Sequence, residues 1–554
     1  MGFIYNLSKY LNIICNSIHL LSDVNIPNVQ GNILKGFNKP EIRFIFFEAP
    51  YISDKEKGKE IRKWFCKFAD RIPNTPQLIK ASENLKEKME INRKETKENG
   101  RYEPPNIWDP NYSPRETWVH VSFTYRFLKR LGLSSPHPID SSSTDQVIDK
   151  IDPFEVGMKA RKDRLGDIRS DDPSNIKSNW IEPFKNGNID GVFIIASDKQ
   201  GDADIYSINL IDEITSIGIK CIGLEKGSAI TNEEGKQIEH FGFVDGISQP
   251  LINKIDNDKI KERLINKEKF NANSFVLSNL KGDLEWANDG SFMVFRKLKQ
   301  NVDAFWEFMN KKSKELNTSP ESLAAKFIGR WKSGAPLLVF PNADPHTPSE
   351  SDFNDFKYIK NELPDKDTKK LRRTYDEVKN WHDEFGIRTP RFAHIRKVYP
   401  RDDGKKGDPE IDDKENDAHR ILRRGIPYGP TREHNPFAER GLLFVCYQKD
   451  LRSQFEYIQR SFANDANFPK ADPRFNESTI IEKGHGIDAI IGSNRKEDKH
   501  GNPIEIVNLV QKETGIGMDS IIPITGFQKW IETRGGEYFF SPSLHALKNI
   551  IFKT

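Results

Sequence analysis

The stretch Glu239-His-Phe-Gly-Phe-Val-Asp-Gly-Ile-Ser-Gln-Pro250 decides how this chain is read. It sets one acid, Asp245, between Val244 and Gly246, with a further glycine at Gly242. Little side-chain bulk surrounds that carboxylate, so backbone can pack closely against a flat ligand. Asp-Gly is also a common turn, and the short GxxDG pattern alone reads as one. The longer string, and the segments that follow it, carry the reading further.

Downstream, Phe392-Ala-His-Ile-Arg-Lys-Val-Tyr-Pro-Arg401 offers His394, and a neutral imidazole suits haem iron. Ile421-Leu-Arg-Arg-Gly-Ile-Pro-Tyr-Gly-Pro430 offers Arg423, with Arg424 as the fallback. Taken singly, His394 is one of 12 histidines and the Arg pair reads as a solvated turn. Taken together, EHFGFVDGISQP resembles the distal haem motif of the dye-decolorising peroxidase family. FAHIRK resembles the family's proximal segment, and ILRRGIPYGP the segment carrying its distal arginine. Asn28–Gly36, Gly290–Leu298, Gly329–Pro336, Tyr457–Asp465 and Arg534–Pro542 match in the same order, so the similarity runs from about residue 28 to about residue 545. Two departures stand out: Thr389-Pro-Arg-Phe392 where the family often has Cys-Pro-Phe, and Phe462 where it often has Trp.

The resemblance implies an α+β fold of two ferredoxin-like modules with antiparallel sheets, haem being held mainly by the second. It divides the chain into an amphipathic extension (1–27), a first module carrying GxxDG (28–285) and a second carrying the His and Arg segments (286–554). It implies haem b with His394 as the iron ligand. Gly242, Gly246, Ile247 and Ser248 would lie against the cofactor. Asp488, in Gly486-Ile-Asp-Ala-Ile-Ile-Gly492, would accept the other ring N–H of His394. Arg396, two residues on from His394 in an assumed strand, would pair with a haem propionate by charge.

Such a set suits peroxide chemistry. One oxygen of hydrogen peroxide must lose a proton and the other must gain one to leave as water. A carboxylate such as Asp245 can act as base and then as acid. Arg423 stays protonated and would stabilise negative charge on the leaving oxygen. Hydrogen peroxide and a small-molecule reductant, such as a dye or phenol, are the implied partners. Trp530, Tyr447 and Tyr538 are generic candidates for passing oxidising equivalents to bulky donors. The competing reading is a haem carrier, store or sensor with incidental peroxidase activity. His394 serves both readings, whereas Asp245 with Arg423 favours the enzyme, because a carrier needs no proton shuttle over its iron.

Composition sets the frame. The 554 residues can bury one large core or two fused ones. Hydrophobic residues are 36% and charged residues 30%, which makes a polar surface on a folded chain. A net charge of +3 gives no reason to invoke nucleic acid. Cys15, Cys66, Cys221 and Cys446 form no CxxC pair and are read as mostly buried free thiols. No apolar run reaches 18 residues, so no membrane span is expected. Ile4, Leu7, Leu11, Ile14, Ile18 and Leu21 form a helical stripe without a basic start or small-residue cleavage site. Docking on the body or on a second copy, as a homo-oligomer, is favoured over targeting, and cytoplasm over secretion.

Periodicity yields two similar halves. Ile42–Glu48 and Val192–Ala196 read as strands, Val119, Val121 and Phe123 as a half-buried strand, and Ile61, Trp64, Phe65 and Phe68 as a helix face. Phe292–Phe295 and Leu442–Cys446 read as strands of the second half. Val302, Phe305, Trp306 and Met309 mark one helix face there, and Leu451, Phe455, Ile458 and Phe462 another. The polar stretches 84–116, 360–380 and 402–418 read as surface loops or charged helices, the last bordering the site.

Overall fold

A computed structural model describes residues 25–51, 55–84, 116–136, 151–167, 179–256, 270–345, 354, 356–360, 382–469, 484–493, 507–512, 519–525 and 530–553. The N-terminal stripe and Cys15, and nearly all of the polar stretches at 84–116 and 360–380, lie outside these residues.

The first half supplies β1 (Glu41–Glu48), α1 (Lys55–Phe68), β2 (Thr117–Phe123), β3 (Gly191–Ser197), α2 (Gln200–Ser216) and β4 (Lys220–Ser228). The second supplies β5 (Ser291–Gln300), α3 (Val302–Glu315), α4 (Pro320–Ile328), α5 (His394–Val398), β6 (Leu422–Arg423), β7 (Ile426–Tyr428), β8 (Gly441–Gln448) and β9 (Ile531–Ser541). The strands run in the order β5-β9-β2-β3-β1-β4-β7-β8-β6, and β5 also pairs with β8. Within it, β4-β1-β3-β2 and β7-β8-β5-β9 each follow the ferredoxin-like arrangement, read from opposite ends.

All the pairings are antiparallel, and the two halves meet edge to edge. Gly227 pairs with Tyr428 at one seam and Phe123 with Phe540 at the other. The β5–β8 pairing then closes a barrel, so the edges of each module are covered by the other.

Closure explains the burial along the strands. In β1, Phe44 and Phe46 face the interior, where their rings lie 5.1 and 5.0 Å from Phe295 of the other half. Phe47 points outward to Phe65 of α1. Strand β2 departs from the half-buried pattern expected of it. His120 and Ser122 are fully buried, because their face meets the barrel interior. There His120 Nε2 lies 3.0 Å from Ser122 Oγ, 3.1 Å from Ser541 Oγ and 3.1 Å from the Tyr447 hydroxyl. Polar partners on β8 and β9 thus meet the Nε2 side of a ring that the local pattern assigned to solvent, while its buried Nδ1 has no hydrogen-bond partner among the described residues.

Local signals set the helix ends near the site. Asn301 caps α3 by accepting from the Ala304 N–H at 3.3 Å, and Ser319 caps α4 through the Ser322 N–H at 3.1 Å. Helix α4 stops at Gly329 (φ +95°). A Cβ there would stand 2.4 Å from Ile395, so glycine lets α5 approach closely. Two π-helical segments, Leu451–Phe455 and Ile458–Ala463, follow β8, where a plain helical face was expected. Of the three described cysteines, Cys446 is buried, whereas Cys66 and Cys221 are only half-buried. No helix among the described residues is long and apolar enough to cross a membrane.

Candidate active site

The loop after β4 is folded by its own carboxylate. Glu239 accepts from the N–H groups of Phe241 and Phe243, both at 2.9 Å, and its own N–H reaches the Phe243 carbonyl at 3.0 Å. Gly242 (φ +96°) makes the turn that this ring of bonds needs. The Asp245 N–H bonds to the Gln237 carbonyl at 3.1 Å, and the Val244 N–H to the Lys332 carbonyl at 3.1 Å. Asp245 is therefore presented from an anchored backbone, with its Oδ1 accepting from the Gly246 N–H at 2.6 Å.

Arg423 reaches the same place from β6, where its main chain pairs with Cys446. Gln249 grips that main chain twice, at 3.2 Å to both the N–H and the carbonyl. The Arg423 Nη2 donates to the Ser248 carbonyl at 3.2 Å, and Nη1 stands 3.4 Å from Asp245 Oδ1. That contact is long for a hydrogen bond, and both side chains keep about a third of their surface exposed. Arg424 turns the other way and donates to the carbonyls of Asn32, Ile33 and Leu34.

His394 opens α5. Its Nδ1 lies 2.8 Å from Asp488 Oδ2, and Asp488 is fully buried, with Oδ1 accepting from the N–H groups of Ile490 (2.8 Å) and Ile491 (3.1 Å). With Nδ1 donating, Nε2 carries the lone pair, and it has no hydrogen-bond partner among the described residues.

Asp245, Gly246, Ile247, Ser248, His394 and Arg423 line one cavity. Leu442, Phe444, Phe455, Ile458, Ile490 and Ile491 give it apolar walls. Gly242 lines a neighbouring cavity instead, and Asp488 stands behind His394. An apolar-walled chamber with one imidazole and two carboxylate–guanidinium pairs, Asp245–Arg423 and Asp167–Arg296, suits a flat apolar macrocycle that binds iron. Arg330, Arg401 and Arg420 also line it and were missed as site residues. Arg330 and Arg401 fall inside matched segments, Gly329–Pro336 and Phe392–Arg401, so a search of those segments for cations would have found them.

Arg396 does not line the cavity. FAHIRK forms a helix rather than the strand assumed for it, and two residues along a helix is a turn of about 200°. The Arg396 guanidinium is fully buried and bonded to Asp403 (2.8 Å) and Asp383 (3.0 Å). Asp403 also holds Arg391 at 3.1 Å. Burial alone would raise the Asp403 carboxyl, but Arg396 and Arg391 outweigh it and hold it below its ordinary value. Asp402 and Asp403 are buried, so the segment at 402–418 begins as part of the core, and it ends in a charged helix, Pro409–Ala418, as one of the two expected alternatives had it. Removing one member of such a network leaves buried charge unpaired. Asp403→Ala is expected to cost about 3–5 kcal/mol, read as a lowered denaturation midpoint. A midpoint equal to the parent's would remove Arg396 from its supporting role.

Trp530, Tyr447 and Tyr538 are also fully buried, which overturns their candidacy as surface relay sites.

The chain matches the family model of the DyP dimeric alpha+beta barrel domain over residues 28–229 and that of the Dyp-type peroxidase C-terminal domain over residues 379–473. It is 31% identical over 549 residues to Peroxidase 2 of Mycetinis scorodonius, covering 95% of this chain and 88% of that protein. It is 30% identical to a dye-decolorizing peroxidase of Auricularia auricula-judae, covering 70% of this chain and 71% of that protein. Among solved structures, a mutant of the dye-decolorizing peroxidase from Pleurotus ostreatus superposes with a TM-score of 0.68 at 27% identity, covering 96% of this chain and 100% of that one.

Proposed function

The chain belongs to the dye-decolorizing peroxidase family, whose members are haem enzymes, and from that premise we propose that this peroxidase binds haem b through His394 and activates hydrogen peroxide with Asp245 and Arg423. What carries the reading is the presence of both pairs, His394–Asp488 and Asp245–Arg423, on one apolar chamber. Haem, when bound, would supply the redox chemistry that couples peroxide to one-electron donors. The chain's own groups do the rest. Asp488 holds the imidazole by Nδ1, leaving Nε2 for the metal. Asp245 takes the first peroxide proton and returns it to the leaving oxygen. Arg423 neutralises charge that develops there.

Gly246, Ile247 and Ser248 would lie against the macrocycle. Arg330, Arg401 and Arg420 replace Arg396 as the cations available to its propionates. The division between 28–285 and 286–554 is supported by the strand order, since β1–β4 all precede residue 286 and β5–β9 all follow it, whereas nearly all of 1–27 lies outside the described residues. Dyes and phenols are the proposed donors, in keeping with the names of the relatives.

One absorption spectrum before and after peroxide, with initial rates against peroxide concentration, tests the whole reading. A haem band that shifts on mixing, with saturable turnover, is expected. Haem binding without saturable turnover would favour the carrier. Asp488→Asn should lower haem affinity or peroxide turnover by about 10–100-fold while leaving Asp245 untouched. Parent behaviour in that variant would show that His394 needs no oriented partner.

A further inference from the structure

Glu239 stands in the wall between two cavities. It lines the chamber that holds Asp245, and it also lines a second, outer one with His240, Trp306, Lys332 and Arg440. Phe241 is shared in the same way. Of the groups facing both spaces, Glu239 is the one that can carry a proton.

Gln300, at the end of β5, donates its Nε2 to Glu239 Oε2, and the Phe241 and Phe243 N–H groups donate to the same carboxyl, so the contacts favour its ionised form and burial opposes them. Burial pushes this carboxyl up to about 7, against the pull of the Phe241 and Phe243 N–H groups and Gln300, and Asp245 raises it further. The inner cavity also holds Asp167, Asp245, Tyr358, His394 and Tyr399 with Arg296, Arg330, Arg401, Arg420 and Arg423, and the outer one His240, Asp303, Glu307, Lys332, Arg432, Glu433 and Arg440.

Stoichiometry supplies the need. Peroxide and two donors, H2O2 + 2 AH, give 2 H2O + 2 A•. Peroxide brings two protons, and the first water carries both away. The remaining oxygen needs two electrons and two protons to leave as the second water. A donor oxidised outside the chamber leaves its proton in solvent, so two protons must enter by another path.

We propose that Glu239 is the proton port of the active chamber, passing protons from the outer cavity to the Asp245 side and recharging from solvent. The role rests on the peroxidase reading and is separate from the first peroxide step, which Asp245 serves without net proton uptake. Glu239 is a positioning and proton-carrying residue, and nothing in the role requires it to touch peroxide.

Infrared spectroscopy of the holoenzyme and stopped-flow kinetics test this together. The parent should show a buried carboxylic-acid band that is lost in Glu239→Gln. In that variant, return to the resting state with donor should slow roughly a hundredfold more than the reaction with peroxide alone, which reads any shift of the Asp245 loop. In the parent this return should fall as pH rises through about 7, where Glu239 ionises, and the variant should lack that limb. Glu537 is the control: burial also pushes it up to about 7, and it accepts the Met158 and Tyr538 N–H groups, but it lines neither cavity. Glu537→Gln should lose its own band and keep parent kinetics. Should Glu239→Gln fail to hold haem, Gln300→Leu keeps the acid and removes its partner, and the band should shift. A parent without the Glu239 band, an unmoved band in Gln300→Leu, parent return rates in Glu239→Gln, or equal slowing in Glu537→Gln would each overturn the proposal. Equal slowing of the peroxide step and of the return in Glu239→Gln would also overturn it, as loss of the loop that presents Asp245 and not of a proton port.

Discussion

Asp245→Asn and Arg423→Leu are each expected to retain haem and to slow the reaction with peroxide by roughly a hundredfold or more, as read by stopped-flow absorbance. Neither change should disturb the fold. Asn keeps an oxygen for the Gly246 N–H, and the Gln237 and Lys332 carbonyls hold this loop through main chain. Arg423 is fixed by its backbone pairing with Cys446 and by Gln249, and these bonds survive loss of the guanidinium. What is lost differs between the two. Asn cannot take a proton from peroxide at working pH, whereas Leu removes the cation that would meet charge on the departing oxygen. Because Nη1 and Oδ1 stand 3.4 Å apart, a double variant should cost less than the product of the two single losses if both act on one bound peroxide. If both single variants react as fast as the parent, peroxide is activated elsewhere.

Much of the site could be read from sequence because its chemistry is concentrated in short strings. The loop at 239–250 contains the acid, its flanking glycines and the glutamate that folds them, so local pattern and local structure coincide. Arg423 rather than Arg424 faces the cavity because alternation along a strand sends neighbours to opposite sides, and the downstream segment defines that strand. Arg396 was misjudged because the period of FAHIRK is too short to separate helix from strand, and its partners, Asp383 and Asp403, come from flanking loops. His120 was misjudged for a different reason. A half-buried alternation assumes solvent on one face, and no local signal announces that a second module will close the barrel over it. The two modules themselves were legible as repeated strand–helix runs. Their edge-to-edge joining rests on one residue pair at each seam, too little to leave a mark in the pattern.

His394→Ala is expected to remove most of the haem, or to leave a fraction whose iron spectrum reports different ligation. Two effects compete in that variant. The apolar walls at Leu442, Phe444, Ile458 and Ile490 would still favour a macrocycle by burial, which does not depend on the iron. The metal–nitrogen bond is lost outright, and so is the partner of Asp488, a buried carboxylate that then keeps only the Ile490 and Ile491 N–H groups. Haem content per protein, read from the ratio of haem to protein absorbance, should fall by about tenfold or more if the bond dominates. If burial dominates, content holds and the spectrum alone shifts. His394→Gly with added imidazole separates ligation from packing: a free ring that fills the gap and bonds to Asp488 should restore the parent spectrum. Among the described residues His394 is the only histidine lining the cavity, so no neighbour can substitute for it by rotation. A variant with both parental haem content and an unchanged spectrum would therefore mean that the iron is held from a different wall of the chamber, and that the His394–Asp488 pair serves the fold alone.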